Sequence, residues 1–275
     1  MSAPEVSIVV PAHNEAESLE ILAAEIRGAL DGGGTSYELI VVDDGSTDAT
    51  PAVLRRLAAA DGRVRVVAQR RRAGQSAALA AGFRRARGAI VVTLDADLQN
   101  DPADIPRLLA ELPGFGLVCG VRTGRRDGGL RRLSSRLANA VRNRVTGERI
   151  ADVGCSLKAC RADVLRRVPA FDGMHRFLPT LMRLEGARVK EVPVSHRPRL
   201  YGTTKYGVGN RLWRALADLA AVRWMQRRSL DRGLSEEIAD WTTTPYGSPS
   251  ASAARPSSSA ASSSSGSPPS AARRA

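Results

Sequence analysis

Two aspartates separated by one small residue, Asp95 and Asp97, directly follow a mainly aliphatic run at residues 90–94. Because alternate residues of an extended chain point the same way, both carboxylates can face one point. Two oxygen ligands that leave coordination positions open suit Mg²⁺ or Mn²⁺, and substrate phosphates then complete the shell. In the alternative, the aspartates only cap the next helix, but Asp101 and Pro102 already supply that cap and its first-turn proline. The two aspartates alone leave both alternatives open, and together with the polar loops that follow the other aliphatic runs they favour a divalent-metal site.

Two earlier aliphatic runs also end in polar residues. Residues 11–15 read Pro-Ala-His-Asn-Glu, and residues 43–48 read Asp-Asp-Gly-Ser-Thr-Asp. Neither segment carries the Gly-x-Gly-x-x-Gly turn of a dinucleotide site, and the chain has no Gly-Lys-Ser/Thr phosphate loop. This pattern disfavours redox and P-loop chemistry. Acidic loops can instead accept hydrogen bonds from a nucleobase and a ribose while a metal ion binds a diphosphate.

A regular alternation of strands and helices must position these polar loops. The predicted strands are 5–10, 37–42, 63–68, 89–94 and 115–120, and the predicted helices are 15–30, 49–60, 75–87 and 102–112. Continuous aliphatic strands are typical of a parallel sheet that is buried on both faces. The sequence therefore predicts an α/β fold with a doubly wound, mostly parallel sheet. In such sheets ligands bind at the carboxyl ends of the strands, where the polar loops should meet.

The charge of the chain is strongly basic, with 41 Lys+Arg against 28 Asp+Glu and a formal net charge of +13. Eight arginines lie between residues 122 and 144, opposed only by Asp127. Such a run favours an anionic partner, either nucleic acid, a membrane surface or a phosphorylated ligand, and a solvated basic face is the alternative. A nucleic-acid-binding module is disfavoured because no reading motif is present and aromatic residues make up only 4%. We therefore expect no nucleic-acid partner.

The organisation of the chain changes near its C-terminal end. Residues 246–275 contain 12 Ser, 8 Ala and 4 Pro with no large aliphatic residue, which predicts a disordered tail. We predict a folded domain over residues 1–230 and a linker over 231–245. No apolar run approaches the roughly 20 residues of a membrane-spanning helix, and the N-terminal segment does not resemble a secretory signal. The three cysteines lack metal-site spacing and are predicted to be small buried residues in a reducing cytosol.

Residues 208–220 predict an amphipathic helix. Leu216, Leu219 and Ala220 fall on its apolar stripe, and arginines follow the stripe from Arg223 onward, where the pattern ends or turns. With tryptophans and arginines nearby, the segment is a candidate for a helix that lies at a membrane interface. The alternative is a helix that docks on its own domain.

Several motifs together resemble the family 2 glycosyltransferases of the GT-A fold. The segments that carry the resemblance are 6–15, 41–48 and 94–102. The Leu-Gln pair after Asp-Ala-Asp, and the later segments 154–158, 175–179 and 197–207, resemble the branch of dolichyl-phosphate mannosyltransferase and bacterial polyprenyl-phosphate glycosyltransferases. The resemblance extends from about residue 5 to residue 228, and it implies a Rossmann-like half that binds the nucleotide sugar and a second half that binds the acceptor.

The resemblance implies roles for particular residues. Those that would hold the nucleoside or lie close to the nucleotide are Pro11, Ala12, His13, Glu15, Val42, Asp44 and Ala96. Those that would bind the metal are Asp95, Asp97 and Gln99. Arg122 matches an arginine on the sugar-phosphate side, and Arg199 and Lys205 match a basic pair that contacts the donor diphosphate and the acceptor phosphate. Asp152 would orient the acceptor or contact the sugar, or else form a structural hydrogen bond; His175 and His196 are expected to be structural.

The resemblance also implies a reaction, in which the expected catalytic residues are Asp97, Arg199, Lys205 and Asp152. A hexose, mannose or glucose, would move from a nucleotide sugar of the GDP-mannose or UDP-glucose type to polyprenyl phosphate. That phosphate is already an anion at neutral pH because its second pKa is about 6, so displacement with inversion needs no strong base. A soluble or glycan acceptor is the alternative. The expected location is cytoplasmic, peripheral at the inner face of the cell membrane, by direct contact or through a membrane partner.

Overall fold

In a computed structural model, the chain is described over residues 3–123, 139–198 and 211–230, with side chains from residue 215 onward in the last range. The described strands are β1 Val6–Ala12, β2 Tyr37–Asp43, β3 Val64–Ala68, β4 Ile90–Thr93, β5 Leu117–Arg122, β6 Lys158–Arg161 and β7 Val189–Val194. The helices are α1 Leu19–Leu30, α2 Thr50–Ala60, α3 Gln75–Phe83 and α4 Ile105–Ala110, then Ala162–Leu165, Leu178–Leu184 and Arg211–Arg228. Residues 139–146 are also helical. The predicted linker 231–245 and tail 246–275 lie outside the described residues.

The described strands form one mixed sheet in the order β3-β2-β1-β4-β6-β5-β7. β1 pairs in parallel with β2 and β4, and β2 pairs in parallel with β3. β6 runs antiparallel to both β4 and β5, whereas β7 is parallel to β5. The predicted α/β class with a doubly wound, mostly parallel sheet is confirmed. The sequence prediction did not include β6 and β7.

Helices cover both faces of the sheet, as its continuous aliphatic strands require. All seven residues of β2 are buried. On one face, α1 and α4 contribute Ile26 and Leu108 to a large apolar cluster. On the other face, α3 contributes Leu79 to a second cluster that also contains Leu181. Because this burial holds the strands in place, the loops at their carboxyl ends begin from fixed positions along one edge of the sheet.

The predicted start of α1 at residue 15 is wrong, because residues 15–18 form hydrogen-bonded turns before the helix begins at Leu19. The Glu15 amide donates to Thr50 Oγ1 over 2.9 Å, and Ser18 Oγ donates to the Glu15 carbonyl over 3.0 Å. The predicted cap of the fourth helical segment is confirmed, since the Asp101 side chain accepts a hydrogen bond from the Ala103 amide. There a short 3₁₀ turn precedes α4.

The last helix, Arg211–Arg228, continues past residue 220, where the apolar pattern of the sequence was predicted to end or turn. The predicted stripe is wrong in part: Leu219 is buried in the second apolar cluster, as is Val222, but Leu216 is 41% exposed and Ala220 is also exposed. The helix therefore docks on its own domain through Leu219 and Val222. None of the helices in the described ranges is both long and apolar enough to cross a lipid bilayer.

Candidate active site

Hydrogen bonds connect the loop after β1 to the loop after β2. His13 Nδ1 lies 2.9 Å from the Asp44 carbonyl and, because a carbonyl only accepts, this nitrogen carries the proton. Asn14 has a positive φ of 54°, and its side-chain oxygen accepts from the Thr47 amide over 2.8 Å. The Asn14 amide in turn donates to Ser46 Oγ over 2.9 Å. The predicted nucleoside-binding loops therefore meet.

The Asp44 side chain holds the loop after β3. It is 4% exposed, and its two carboxylate oxygens accept from the backbone amides of Ala73 over 2.6 Å and Gly74 over 2.8 Å. The neighbouring Gly45 has a φ of +64°, and a Cβ there would lie 2.6 Å from the Arg72 amide nitrogen. The structure thus gives Asp44 an anchoring role, and its predicted nucleoside contact stays a prediction.

The other predicted nucleotide positions lie at the same edge of the sheet. Pro11 and Ala12 are the last two residues of β1, and the Ala12 carbonyl accepts from the Asp44 amide over 2.8 Å. Val42 is fully buried in the second apolar cluster, so its side chain belongs to the core. Ala96 is also buried, between the two predicted metal ligands. The roles of these residues in binding stay predictions.

The predicted metal ligands follow β4 at this edge. Asp95 Oδ1 accepts from the side-chain amide of Gln75 over 2.8 Å, and Asp97 Oδ1 accepts from the Gln99 amide over 3.2 Å. Leu98, which lies between Asp97 and Gln99, has a φ of 61°, which turns the chain sharply. Within the described residues, no group of three or more His, Cys, Asp or Glu side chains is placed to hold a metal ion. Asp95, Asp97 and Gln99 could supply two carboxylates and one side-chain amide oxygen to Mg²⁺ or Mn²⁺, with substrate phosphates completing the shell, and their role as metal ligands stays a prediction.

Arg122 and Asp152, which the sequence placed in separate roles, form an ion pair. Arg122 Nε and Nη2 donate to the two carboxylate oxygens of Asp152 over 2.7 and 2.8 Å. Asp152 also accepts from the Gly154 amide over 3.1 Å, and a Cβ at Gly154 would lie 2.7 Å from Arg122 Nη2. Asp152 therefore balances the charge of Arg122 and fixes its direction.

A cavity of about 220 Å³ opens beside Asp95. Its polar lining includes Gln75, Lys158 and His175, while Leu79 and Met174 belong to its apolar wall. The cavity therefore lies directly next to the predicted metal site.

The His175 side chain is held in a defined state at the wall of this cavity. Its Nδ1 lies 2.7 Å from Ser76 Oγ, which itself accepts from the Gly173 amide over 2.9 Å. Burial, together with the charges of Arg176 and Lys158, lowers the pKa of His175 to about 3. The imidazole is therefore neutral at physiological pH.

Sequence reasoning missed Gln75 and gave no role to Lys158. Gln75 is the first residue of α3, directly after the loop that follows β3 at the same edge as the other polar loops, and it could have been found by that position. Lys158 is the first residue of β6, a strand that the sequence did not predict. The predicted catalytic residues Arg199 and Lys205 lie outside the described residues, as do five arginines of the run between residues 122 and 144.

Comparisons with known proteins agree with this architecture. The model of "Glycosyl transferase family 2" matches residues 7–168. A dodecaprenyl-phosphate galacturonate synthase of Rhizobium johnstonii is 40% identical over 229 residues, which cover 81% of this chain and 68% of that protein. An undecaprenyl-phosphate 4-deoxy-4-formamido-L-arabinose transferase of Edwardsiella ictaluri is 41% identical over 205 residues, which cover 74% of this chain but only 63% of that protein.

Solved structures share the fold. A glucosyl-3-phosphoglycerate synthase of Mycobacterium tuberculosis, in complex with Mn²⁺, UDP-glucose and phosphoglyceric acid, is 25% identical with a TM-score of 0.61, and the match covers 82% of this chain and 79% of that one. A mannosyltransferase of Pyrobaculum calidifontis, in complex with GDP-Man and Mn²⁺, is 23% identical with a TM-score of 0.56, over 82% of this chain and 65% of that one. The predicted GT-A fold is thereby confirmed.

Proposed function

Because the chain belongs to glycosyl transferase family 2, we propose that it transfers a sugar from a nucleotide sugar to a polyprenyl phosphate. Two relatives of about 40% identity are named for transfer to dodecaprenyl or undecaprenyl phosphate. The structural relatives are complexes with UDP-glucose or GDP-Man and Mn²⁺, which supports a nucleotide-sugar donor and a divalent metal. The mannose or glucose predicted from the sequence, and the GDP or UDP carrier, stay predictions.

One observation carries the proposal: Asp95, which follows β4 at the same edge of the sheet as the acidic loops, lines the cavity together with Gln75, the residue next to the Gly74 amide that Asp44 holds. In our scheme Asp95, Asp97 and Gln99 hold Mg²⁺ or Mn²⁺ at this edge. When bound, the metal neutralises the negative charge that develops on the leaving diphosphate. The donor sugar then lies in the cavity.

The remaining residues bind and orient the substrates. Asp152 holds the Arg122 guanidinium beside Gly154. Gly154 belongs to the segment 153–156, which lines the cavity. Arg199 and Lys205 would add preorganised positive charge for the diphosphate and the acceptor phosphate. Since the acceptor phosphate is already an anion at neutral pH, no side chain needs to act as a strong base, and the product forms with inversion.

Product detection tests this function. The purified full chain is incubated with Mn²⁺ or Mg²⁺, undecaprenyl phosphate in detergent and a panel of UDP- and GDP-linked sugars, and glycolipid is measured by mass spectrometry. We expect glycolipid with at least one donor, dependence on the metal, and loss of turnover in Asp97→Ala. Asp163→Ala, at an exposed ion pair, serves as the matched control. Glycosylation of a soluble acceptor without any glycolipid would instead establish the alternative acceptor class.

We also propose that the protein contacts the cytoplasmic membrane face peripherally. On the last helix, Leu216, Ala220 and Trp224 are exposed and spaced four residues apart, so they share one face, and Arg227 and Arg228 follow. Flotation with anionic vesicles should recover the wild type, whereas Trp224→Ser should reduce recovery several-fold. Ile21→Ser, at an apolar residue on α1 that is 37% exposed against 63% for Trp224, should behave as wild type. Equal recovery of both variants would contradict this contact.

A further inference from the structure

Lys158 is a buried cation at the wall of the cavity. It is 3% exposed, and its ammonium donates a hydrogen bond to the Cys155 carbonyl. An ammonium carries three donors, and among the described residues no carboxylate forms an ion pair with this one. At least one donor of Lys158 is therefore available to a group that enters the cavity.

Other cations near the cavity are already paired. Arg122 is bound by Asp152, and Arg176 Nη2 donates to Asp218 over 3.1 Å. The carboxylate of Asp95 lines the same cavity, but it accepts from Gln75 and is assigned to the metal in the proposed function. Burial of a cation is unfavourable unless an opposite charge accompanies it. Lys158 therefore calls for an anionic group on the occupant of the cavity.

His175 supplies a second donor at the same wall. Ser76 is 4% exposed and accepts from the Gly173 amide, and its hydroxyl proton has no acceptor within the described part of the chain except His175 Nδ1. The hydroxyl therefore donates to Nδ1, and the ring proton of the neutral imidazole lies on Nε2. A neutral imidazole with the proton on this nitrogen is a hydrogen-bond donor at any pH at which the enzyme would work.

From these two donors we infer that Lys158 and His175 bind a carboxylate on the transferred sugar, so that the donor is a nucleoside-diphosphate-linked hexuronic acid instead of mannose or glucose. The inference rests on the proposed function, because that function places the donor sugar in this cavity. A carboxylate pairs with an ammonium and accepts from an imidazole N–H through its two oxygens. The other source of negative charge is a phosphate group of the donor or the acceptor, which the experiment separates.

The first test compares donors on the wild-type chain. Transfer to undecaprenyl phosphate is measured with UDP-glucuronic acid against UDP-glucose, UDP-galacturonic acid against UDP-galactose, and GDP-mannuronic acid against GDP-mannose. We expect kcat/KM for one uronic donor to exceed that of its neutral counterpart by about 10-fold or more. Glycolipid formed preferentially from a neutral donor would overturn the inference while leaving the proposed function intact.

The second test removes the charge. Lys158→Met should lower the ratio of kcat/KM between the uronic and the neutral donor by about 10- to 100-fold, the range for a hydrogen bond to a charged group. Lys190→Met, which removes an exposed lysine paired with Glu111, should leave the ratio unchanged. If Lys158→Met instead weakens binding of UDP alone by the same factor, the lysine binds a phosphate and the inference is wrong.

A binding measurement keeps the inference testable without catalysis or folding of the variant. Calorimetric titration of the wild-type chain with each intact nucleotide sugar and Mn²⁺ needs no lipid acceptor. A uronic donor that binds about 10-fold more tightly than its neutral counterpart supports the inference even when no glycolipid is detected. In that case only the proposed acceptor fails. Equal or weaker binding of all three uronic donors overturns it.

Discussion

Replacement of Asp44 by Asn tests whether this residue anchors the loop after β3. In the wild type, both carboxylate oxygens accept backbone N–H groups, from Ala73 and Gly74, in a site that is 4% exposed. An Asn side chain has one oxygen and one NH₂ group, so one of these amides would face a donor and lose its partner. The loss of one charge-assisted hydrogen bond, with a buried donor left unsatisfied, should destabilise the fold by about 2 to 4 kcal/mol.

Thermal unfolding of the chain without ligand measures this effect. At roughly 3 °C for each kcal/mol in a domain of this size, the Tm of Asp44→Asn should fall by about 6 to 12 °C. Asp163→Asn is the matched control, since Asp163 pairs with Arg161 on the surface, where both side chains are more than half exposed and such pairs contribute little. An Asp44→Asn variant as stable as this control would refute the anchoring role and favour a nucleoside contact alone.

Three further predictions concern the same edge of the sheet. Gln75→Met removes the hydrogen bond to Asp95, so a Mn²⁺ titration of the transfer rate should show activation at about 10- to 100-fold higher metal concentration, and an unchanged titration would contradict the contact. His175 has a folded-state pKa of about 3 against an ordinary value of 6.5, so between these values the unfolded chain takes up a proton that the folded chain does not. Its contribution to stability should therefore decline on acidification through this window, by at most about 1.4 kcal/mol per pH unit, and chemical denaturation of His175→Gln should show a flatter pH dependence. Gly45→Ala should destabilise the fold more than Gly34→Ala, because both have positive φ but only a Cβ at Gly45 would meet neighbouring backbone, at 2.6 Å; equal urea midpoints would exclude that contact.

The sequence predicted the five strands β1 to β5 because these are aliphatic runs between clear turn signals. β7 escaped prediction since it reads Val-Lys-Glu-Val-Pro-Val, in which charged residues and a proline interrupt the pattern of a buried strand. β6 is only four residues long and begins with a lysine. Such strands are defined by their partners in the sheet rather than by their own composition.

The site was predicted where its residues lie together in the chain and missed where the chain brings distant residues together. Asp95 and Asp97 are separated by one residue, and this spacing together with the neighbouring acidic loops led to the prediction of a metal site. The contact between Gln75 and Asp95 spans 20 residues, and the pair of Arg122 and Asp152 spans 30. Side chains that meet across such distances leave no local periodicity in the sequence.

The position of β6 has a consequence for how the chain assembles. β1, β2, β3 and β4 can pair with one another once residues up to 93 are available, whereas in the described sheet β5 reaches β4 only through β6. β6 therefore connects the two parts of the described sheet. It is synthesised late, because about 65 residues separate the end of β4 from the start of β6. During synthesis on the ribosome, the backbone amides of β1 to β4 should acquire slow hydrogen exchange first. Those of β5 to β7 should follow only after β6 has been inserted into the sheet.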